Sequence, residues 1–155
     1  MENVSWVVIE GFTVDDMPRT GMRSALSDHG TIYYSSCHNN YKWGILCGFA
    51  EHAIIENKSC RGSEDDHGVC FSNSANDPVI RSNHWFDNNA NGIHMNGDVS
   101  VGGDGLISNA QVYNTAIYGN RVAGGSGINC DDVVNSVFCN NLLYEPCERY
   151  QPVPD

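Results

Sequence analysis

Apolar positions along this chain recur in step. One aliphatic row runs Ile9, Ile32, Ile55, Ile80, Val112 and Val137, at intervals of 23, 23, 25, 32 and 25 residues. Five residues further on lies a second row, Val14, Cys37, Cys60, Trp85, Ile117 and Leu142. A third row pairs a glycine with an apolar residue: Gly21-Met22, Gly44-Ile45, Gly68-Val69, Gly92-Ile93 and Gly127-Ile128. Between the rows there is no i, i+3, i+4 pattern of an amphipathic helix, only short β-runs broken by Asn, Gly and Ser. A leucine-rich repeat has a similar period but needs several Leu per copy, and the whole chain has five. The pattern predicts an all-β, single-stranded parallel β-helix of about six coils with a 23–25-residue period. Successive coils are expected to stack about 4.8 Å apart.

Within that frame, residues 4–144 form the repeat domain and 145–155 a proline-containing tail. The repeated glycine is expected where φ is positive or the backbone is crowded. Ser35, Asn83, Thr115 and Asn140 are expected at corners, where they tolerate left-handed turns or bridge coils. Each stacked hydrogen bond there contributes about 1 kcal/mol net.

Composition narrows the function classes. Of 155 residues, 18 are Asn, 16 Gly, 14 Ser and 12 Asp, which excludes a helical bundle or coiled coil. A hydrophobic content of 41% argues against disorder. Eight Lys and Arg against 19 Asp and Glu give a net charge of −11. Such a chain repels phosphate, so neither nucleic acid nor an anionic membrane surface is an expected partner. No apolar stretch approaches the roughly 18 residues of a membrane span. The first residues lack the basic and apolar regions of a secretory signal, so the protein is cytosolic or its leader lies outside this sequence. Seven cysteines contain no C-x-x-C pair, which excludes a zinc ribbon and a thioredoxin-like motif. Cys37 and Cys60 share an inward column. Their spacing is compatible with a disulfide, and reduced buried thiols are the favoured reading.

Several segments carry a family resemblance: Val7-Val8-Ile9-Glu10-Gly11-Phe12-Thr13-Val14, Pro78-Val79-Ile80-Arg81, Gly92-Ile93-His94-Met95-Asn96, Gly102-Gly103-Asp104-Gly105, and His67-Gly68-Val69 with Ser72-Asn73-Ser74. They resemble the right-handed parallel β-helix repeat proteins of bacteria, the pectate-lyase-like superfamily. The resemblance implies a right-handed solenoid. It also implies activity on carbohydrate, as a lyase, hydrolase or epimerase of acidic polysaccharide, and an extracellular or periplasmic setting. Calcium is the cofactor it implies, since lyases of this fold use that ion to neutralise a substrate carboxylate. The chain reads as a short member or a fragment, and coil ends without caps predict self-association through open strand edges.

Candidate chemistry follows from the strand after each glycine. If the residue after Gly points inward, alternation sends Arg23, Leu46, Cys70, His94 and Asn129 outward, and Ala25, Gly48, Ser72, Asn96 and Asp131 outward two residues later. An insertion of about 11 residues, centred on Asp98 to Gly105, follows His94; projecting loops are where repeat proteins place function. His94, Asp131, His67 and Asp98 are therefore the candidate catalytic residues, suited to proton abstraction from a uronate or to glycosidic hydrolysis. Arg23, Asn96 and Asn129 are candidate substrate ligands, and Arg81 is a second guanidinium for a carboxylate. Asp98, Asp104 and Asp131, with Asp132, are candidate ligands for Ca²⁺, which takes several oxygens. Cys70 and His94 offer two ligands to a transition metal, short of a site. Glu64-Asp65-Asp66-His67 resembles the acidic-His motif of alginate epimerases but lacks its Pro and following Asp; it is a catalytic segment or an acidic turn. Trp6, Trp43, Tyr33 and Tyr34 stack on sugars if exposed, or pack at an edge. No P-loop, dinucleotide fingerprint or nucleophile elbow is present. The alternative to an enzyme is a non-catalytic scaffold that binds glycan or protein along one face.

Overall fold

The computed structural model describes residues 1–120 and 125–144. The 145–155 tail and Cys147 lie outside the described residues.

The chain winds into a parallel β-solenoid with three long sheets along its axis. Sheet 1 stacks Val8–Glu10, Thr31–Tyr33, Ile54–Glu56, Val79–Arg81, Gln111–Tyr113 and Val137–Cys139. Sheet 2 stacks Thr13–Asp15, Ser36–His38, Ser59–Arg61, His84–Phe86, Ala116–Tyr118 and Leu142–Tyr144. Sheet 3 stacks Thr20–Ala25, Trp43–Gly48, Val69–Ser72, Ile93–Asn96 and Ile128–Asp131. Apart from one 3₁₀ turn at Val99–Val101, no described segment is helical.

Register confirms the three predicted rows through the first five coils. Ile9, Ile32, Ile55, Ile80 and Val112 face one another in sheet 1. Val14, Cys37, Cys60, Trp85 and Ile117 do so in sheet 2. The final coil departs by one residue: Val112 pairs with Phe138, not Val137, and Ile117 with Leu143, not Leu142. A shift of one residue exchanges the faces of a strand, so Phe138 and Leu143 continue the columns. The same shift puts Asn141, not Asn140, in the inward corner column, and Asn140 takes the left-handed turn with φ 52°.

The interior is a stack of like side chains. Ile32, Ile45, Ile55, Val69, Phe71, Ile80, Trp85, Ile93, Met95, Val112 and Ile117 form one continuous buried cluster. Each such side chain contributes about 1.5–3 kcal/mol by leaving water. Cys37, Cys47 and Cys60 lie in that cluster as free thiols. The repeated glycine answers to crowding. A Cβ on Gly44 would sit 2.6 Å from the Gly68 carbonyl oxygen and 2.9 Å from Cys60 Cβ.

Two polar ladders line the corners inside the coil. At the first, Ser35 Oγ accepts from the Phe12 N–H, Asn83 Oδ1 from Lys58, Thr115 Oγ1 from Asn83, and Asn141 Oδ1 from Thr115. At the second, Asn40, Asn88 and Asn120 accept from Met17, Ser63 and Asn88. The residue before each rung takes positive φ, as at Asn57, Asn114 and Asn39. One rung is anomalous: Lys58 occupies a ladder position and is buried, 3% exposed.

Candidate functional site

Two imidazoles meet on the outer side of sheet 3. His67 ends the turn before Val69–Ser72, and His94 points outward from Ile93–Asn96 on the next coil. Their rings lie edge to face with centroids 4.4 Å apart, and His94 Nδ1 is 2.8 Å from His67 Nε2. Register places Asn129 beside His94 and Asp131 beside Asn96. From there Asp131 Oδ2 approaches His94 Nε2 at 3.4 Å.

Protonation follows from the backbone. His67 Nδ1 accepts the Asn91 backbone N–H at 3.1 Å, so it carries no proton and the ring proton sits on Nε2. That Nε2–H donates to His94 Nδ1 at 2.8 Å, and Asp66 Oδ1 lies 2.6 Å from the same nitrogen. His94 Nδ1 is then the acceptor, and its own proton lies on Nε2, directed at Asp131. Burial, reinforced by the neighbouring His67, holds the His94 imidazole below its ordinary value of 6.5. It is therefore a neutral donor at neutral pH. Asp131 Oδ2 also receives the Asn129 amide at 3.3 Å. Its side chain stays 56% exposed, so a partly desolvated donor and an accessible carboxylate lie side by side.

Of the residues expected to act together, His67, His94, Asp131 and Asn129 do meet. Asn96 stands one rung before Asp131 in register. Arg23 lies in the His94 row but three coils away, across Leu46 and Cys70, and its guanidinium is taken by Glu2 at 2.8 Å. Arg81 is on sheet 1, bound to Glu56 and the Tyr113 hydroxyl. Asp98 caps the 3₁₀ turn, its two oxygens accepting from Ser100 N–H and Oγ–H at 2.7 Å each. Those bonds hold its carboxyl below the usual range. Asp104 accepts from Ser74 and from the Leu106 N–H. The insertion thus docks on the corner after Val69–Ser72, with Asn73 donating to Asp98 O, and not over the imidazoles at the strand start. Asp98, Asp104 and Asp131 are not gathered into one oxygen-rich set. Among the described residues, three donors converge only at a different corner, Asp28, His29 and His52.

Cys70 keeps its place in the outward row but is buried, which drives its thiol up to about 12. The run from Glu64 bends so that Asp66 Oδ1 lies 2.6 Å from His67 Nε2, while Asp65 pairs with Lys42 at 3.5 Å. Asn91 is not among the residues the sequence points to, and Asp66 enters only within the Glu64–His67 run. The signal for Asn91 was the position before each repeated glycine, which aligns Trp43, His67 and Asn91 on successive coils. Trp43 is half-buried, with Lys42 Nζ 5.3 Å and Arg19 Cζ 5.9 Å from its ring centroid. Trp6 is 73% exposed and stacks on His29 at 3.8 Å. Tyr33 and Tyr34 meet edge to face at 5.2 Å.

Comparison with known proteins fits this architecture. The periplasmic alginate epimerase AlgG superposes with a TM-score of 0.73 at 12% identity, over 91% of this chain and 36% of that one. A point mutant of AlgG gives 0.63 at 19% identity, over 96% and 40%. The AlgE6 A-module, a mannuronan C-5 epimerase module of Azotobacter vinelandii, gives 0.61 at 22%, over 90% and 45%. The chain therefore spans less than half the length of these structures, and the likeness is one of fold. No curated protein matches it closely in sequence. The family described as a right handed beta helix region matches residues 1–149. With three parallel sheets in continuous register and that match across nearly the whole sequence, the chain belongs to the right-handed β-helix family.

Proposed function

We propose that this chain is a polysaccharide-acting β-helix that moves a proton at the carbon beside a uronate carboxylate, the step shared by C5 epimerases and lyases. The observation that carries the reading is the chain His67–His94–Asp131, with Asp66 beside His67 Nε2, in which a neutral imidazole N–H and a carboxylate share one exposed edge. Asp131 takes the proton as the C–H bond breaks, and the electron pair moves into an enediolate. His94 Nε2–H donates to the carboxylate oxygen where that charge develops; a donor placed there is worth about 10²–10³ in rate. His67 fixes the His94 tautomer as a positioning residue, held by the Asn91 N–H. A proton delivered by water on the opposite face inverts the carbon; alternatively, the neighbouring glycosidic oxygen leaves as the enediolate collapses, takes a proton from water, and an unsaturated product remains. Trp43, with Arg19 and Lys42 against it, lies a coil before His67 and suits the next acidic sugar. The titles of the structural neighbours, two forms of an alginate epimerase and a mannuronan C-5 epimerase module, support a uronate substrate. The periplasmic neighbour supports a setting outside the cytosol.

The test is solvent exchange. Alginate and pectate are incubated with the protein in D₂O, with and without calcium, and deuterium at the carbon beside the carboxylate is followed by NMR. Exchange that is lost in Asp131→Asn and falls by about 10²–10³ in His94→Leu supports the reading. A folded protein that exchanges no deuterium into any uronate polysaccharide refutes it. The binding-scaffold reading then stands, favoured by one observation: among the described residues no Lys or Arg pairs with His94 or Asp131.

A further inference from the structure

The corner between sheets 3 and 1 repeats one backbone conformation along the axis. Trp6, His29, His52, Asp77 and Asn109 all sit there with φ between 52° and 59°. Asp and Asn tolerate this left-handed turn, and the later coils use them. Three early coils instead place aromatic rings in it. Trp6 stacks on His29 at 3.8 Å and His29 on His52 at 4.4 Å. Parallel bridges align Ser5 with Asp28 and Asp28 with Glu51, which brings Asp28 level with both imidazoles.

Three donor atoms converge as a result. Asp28 Oδ1 is 2.7 Å from His29 Nδ1 and 2.9 Å from His52 Nδ1. His52 forms a hydrogen bond with it. His29 Nδ1 does not: the atom is buried and has no hydrogen-bond partner despite that short approach. A buried nitrogen set 2.7 Å from a carboxylate oxygen, at an angle that makes no hydrogen bond, is poorly served by a simple ion pair. On the far side of His52, Nε2 lies 3.8 Å from Asp77 Oδ2, beyond direct hydrogen-bond reach, and Asp77 Oδ1 accepts from the Asn109 amide at 3.0 Å. Beside the three donors lies an open groove of about 570 Å³, whose lining includes the Asp28, Glu51 and Asp104 carboxylates. It leaves room for water or a further oxygen at a fourth position.

The geometry points to a divalent transition-metal site formed by Asp28, His29 and His52. Two imidazoles and one carboxylate suit zinc and its neighbours, whereas calcium takes oxygen alone. The ion would clip the second coil to the third, under the Trp6 ring from the first. This corner is separate from the His94 relay, so its fate does not depend on the proposed reaction.

Calorimetric titration of the chelator-treated full chain with Zn²⁺ tests it, with tryptophan fluorescence as a local readout. His29→Asn and His52→Asn keep a residue that tolerates the left-handed turn, so the coil is retained. The expected result is saturable 1:1 binding that weakens at least tenfold in His29→Asn, His52→Asn and Asp28→Asn. Trp6→Phe abolishes the fluorescence response and leaves the heat. The proposal is overturned if no saturable heat appears. Binding that survives in His52→Asn, or disappears in His94→Gln instead, overturns it equally.

Discussion

Lysine 58 gives the sharpest test of how this interior is built. Its backbone N–H is a rung of the corner ladder, donating to Asn83 Oδ1, so the side chain must follow Ser35 and Asn83 into the coil. There Nζ has Met22 Sδ at 3.8 Å and the Cys37 and Cys60 thiols nearby, and among the described residues no carboxylate pairs with it. Burial lowers the ammonium from 10.5 to about 8. At 1.36 kcal/mol per unit, charging this lysine inside the fold costs about 3 kcal/mol. Below pH 8 the folded state bears that cost in full. Between pH 8 and 10.5 the unfolded chain holds a proton that the folded one has shed, so this group makes stability rise with pH across the window. Lys58→Met keeps the length and the ladder N–H but removes the charge. It raises the melting temperature at pH 7 by about 6–12 °C, at 2–4 °C per kcal/mol for a chain of this size. Calorimetric melts of both proteins from pH 7 to 10.5 are the assay. The gap should be widest at pH 7 and close as pH rises. Parallel curves, or a variant less stable at pH 7, would refute the reasoning that Lys58 is an unpaired interior charge.

Two further outcomes follow from the site and the ladders. Asn88 bonds Ser63 N–H, Cys60 O and Asn120 at no exposure, so Asn88→Ala strands buried partners at about 1–3 kcal/mol each and lowers the melting temperature by at least 6 °C, whereas Asn89→Ala, one residue on, shifts it by less than about 2 °C. His94 titrates below 6.5 when folded, so the unfolded chain binds its proton first as pH falls; stability held above pH 6.5 is lost toward the lower folded value, and His94→Gln should flatten that acid-side decline in melts from pH 7.5 to 5.

The periodic part of the fold was readable because stacking forces like onto like. A column such as Ile32, Ile55 and Ile80 leaves its period in the sequence, and five coils followed it. The final coil did not, because the interval from Val112 to its partner is one residue longer than the neighbouring Val137 implied, and adjacent apolar residues at 137–138 and 142–143 match either register. The site was half readable. His94 and Asp131 share one face by simple alternation, but Asp66 and Asn91 act from turns, where alternation says nothing of direction. Lys58 was invisible for a related reason: the inward-pointing rung follows a left-handed residue, and only the ladder shows that a lysine can occupy it. Asp98 and Asp104 were drawn to the site by proximity in sequence, yet the insertion spends their oxygens on its own turn and on Ser74.

The central claim is the proton arrangement at His67 and His94, and ¹⁵N NMR of the imidazole nitrogens reads it directly. The account predicts His67 protonated on Nε2 with Nδ1 bare, and His94 neutral with its proton on Nε2 at pH 7, titrating below the ordinary histidine value of about 6.5. A His67 that carries its proton on Nδ1, or a His94 that is cationic at pH 7, would contradict the relay and the acid–base roles built on it.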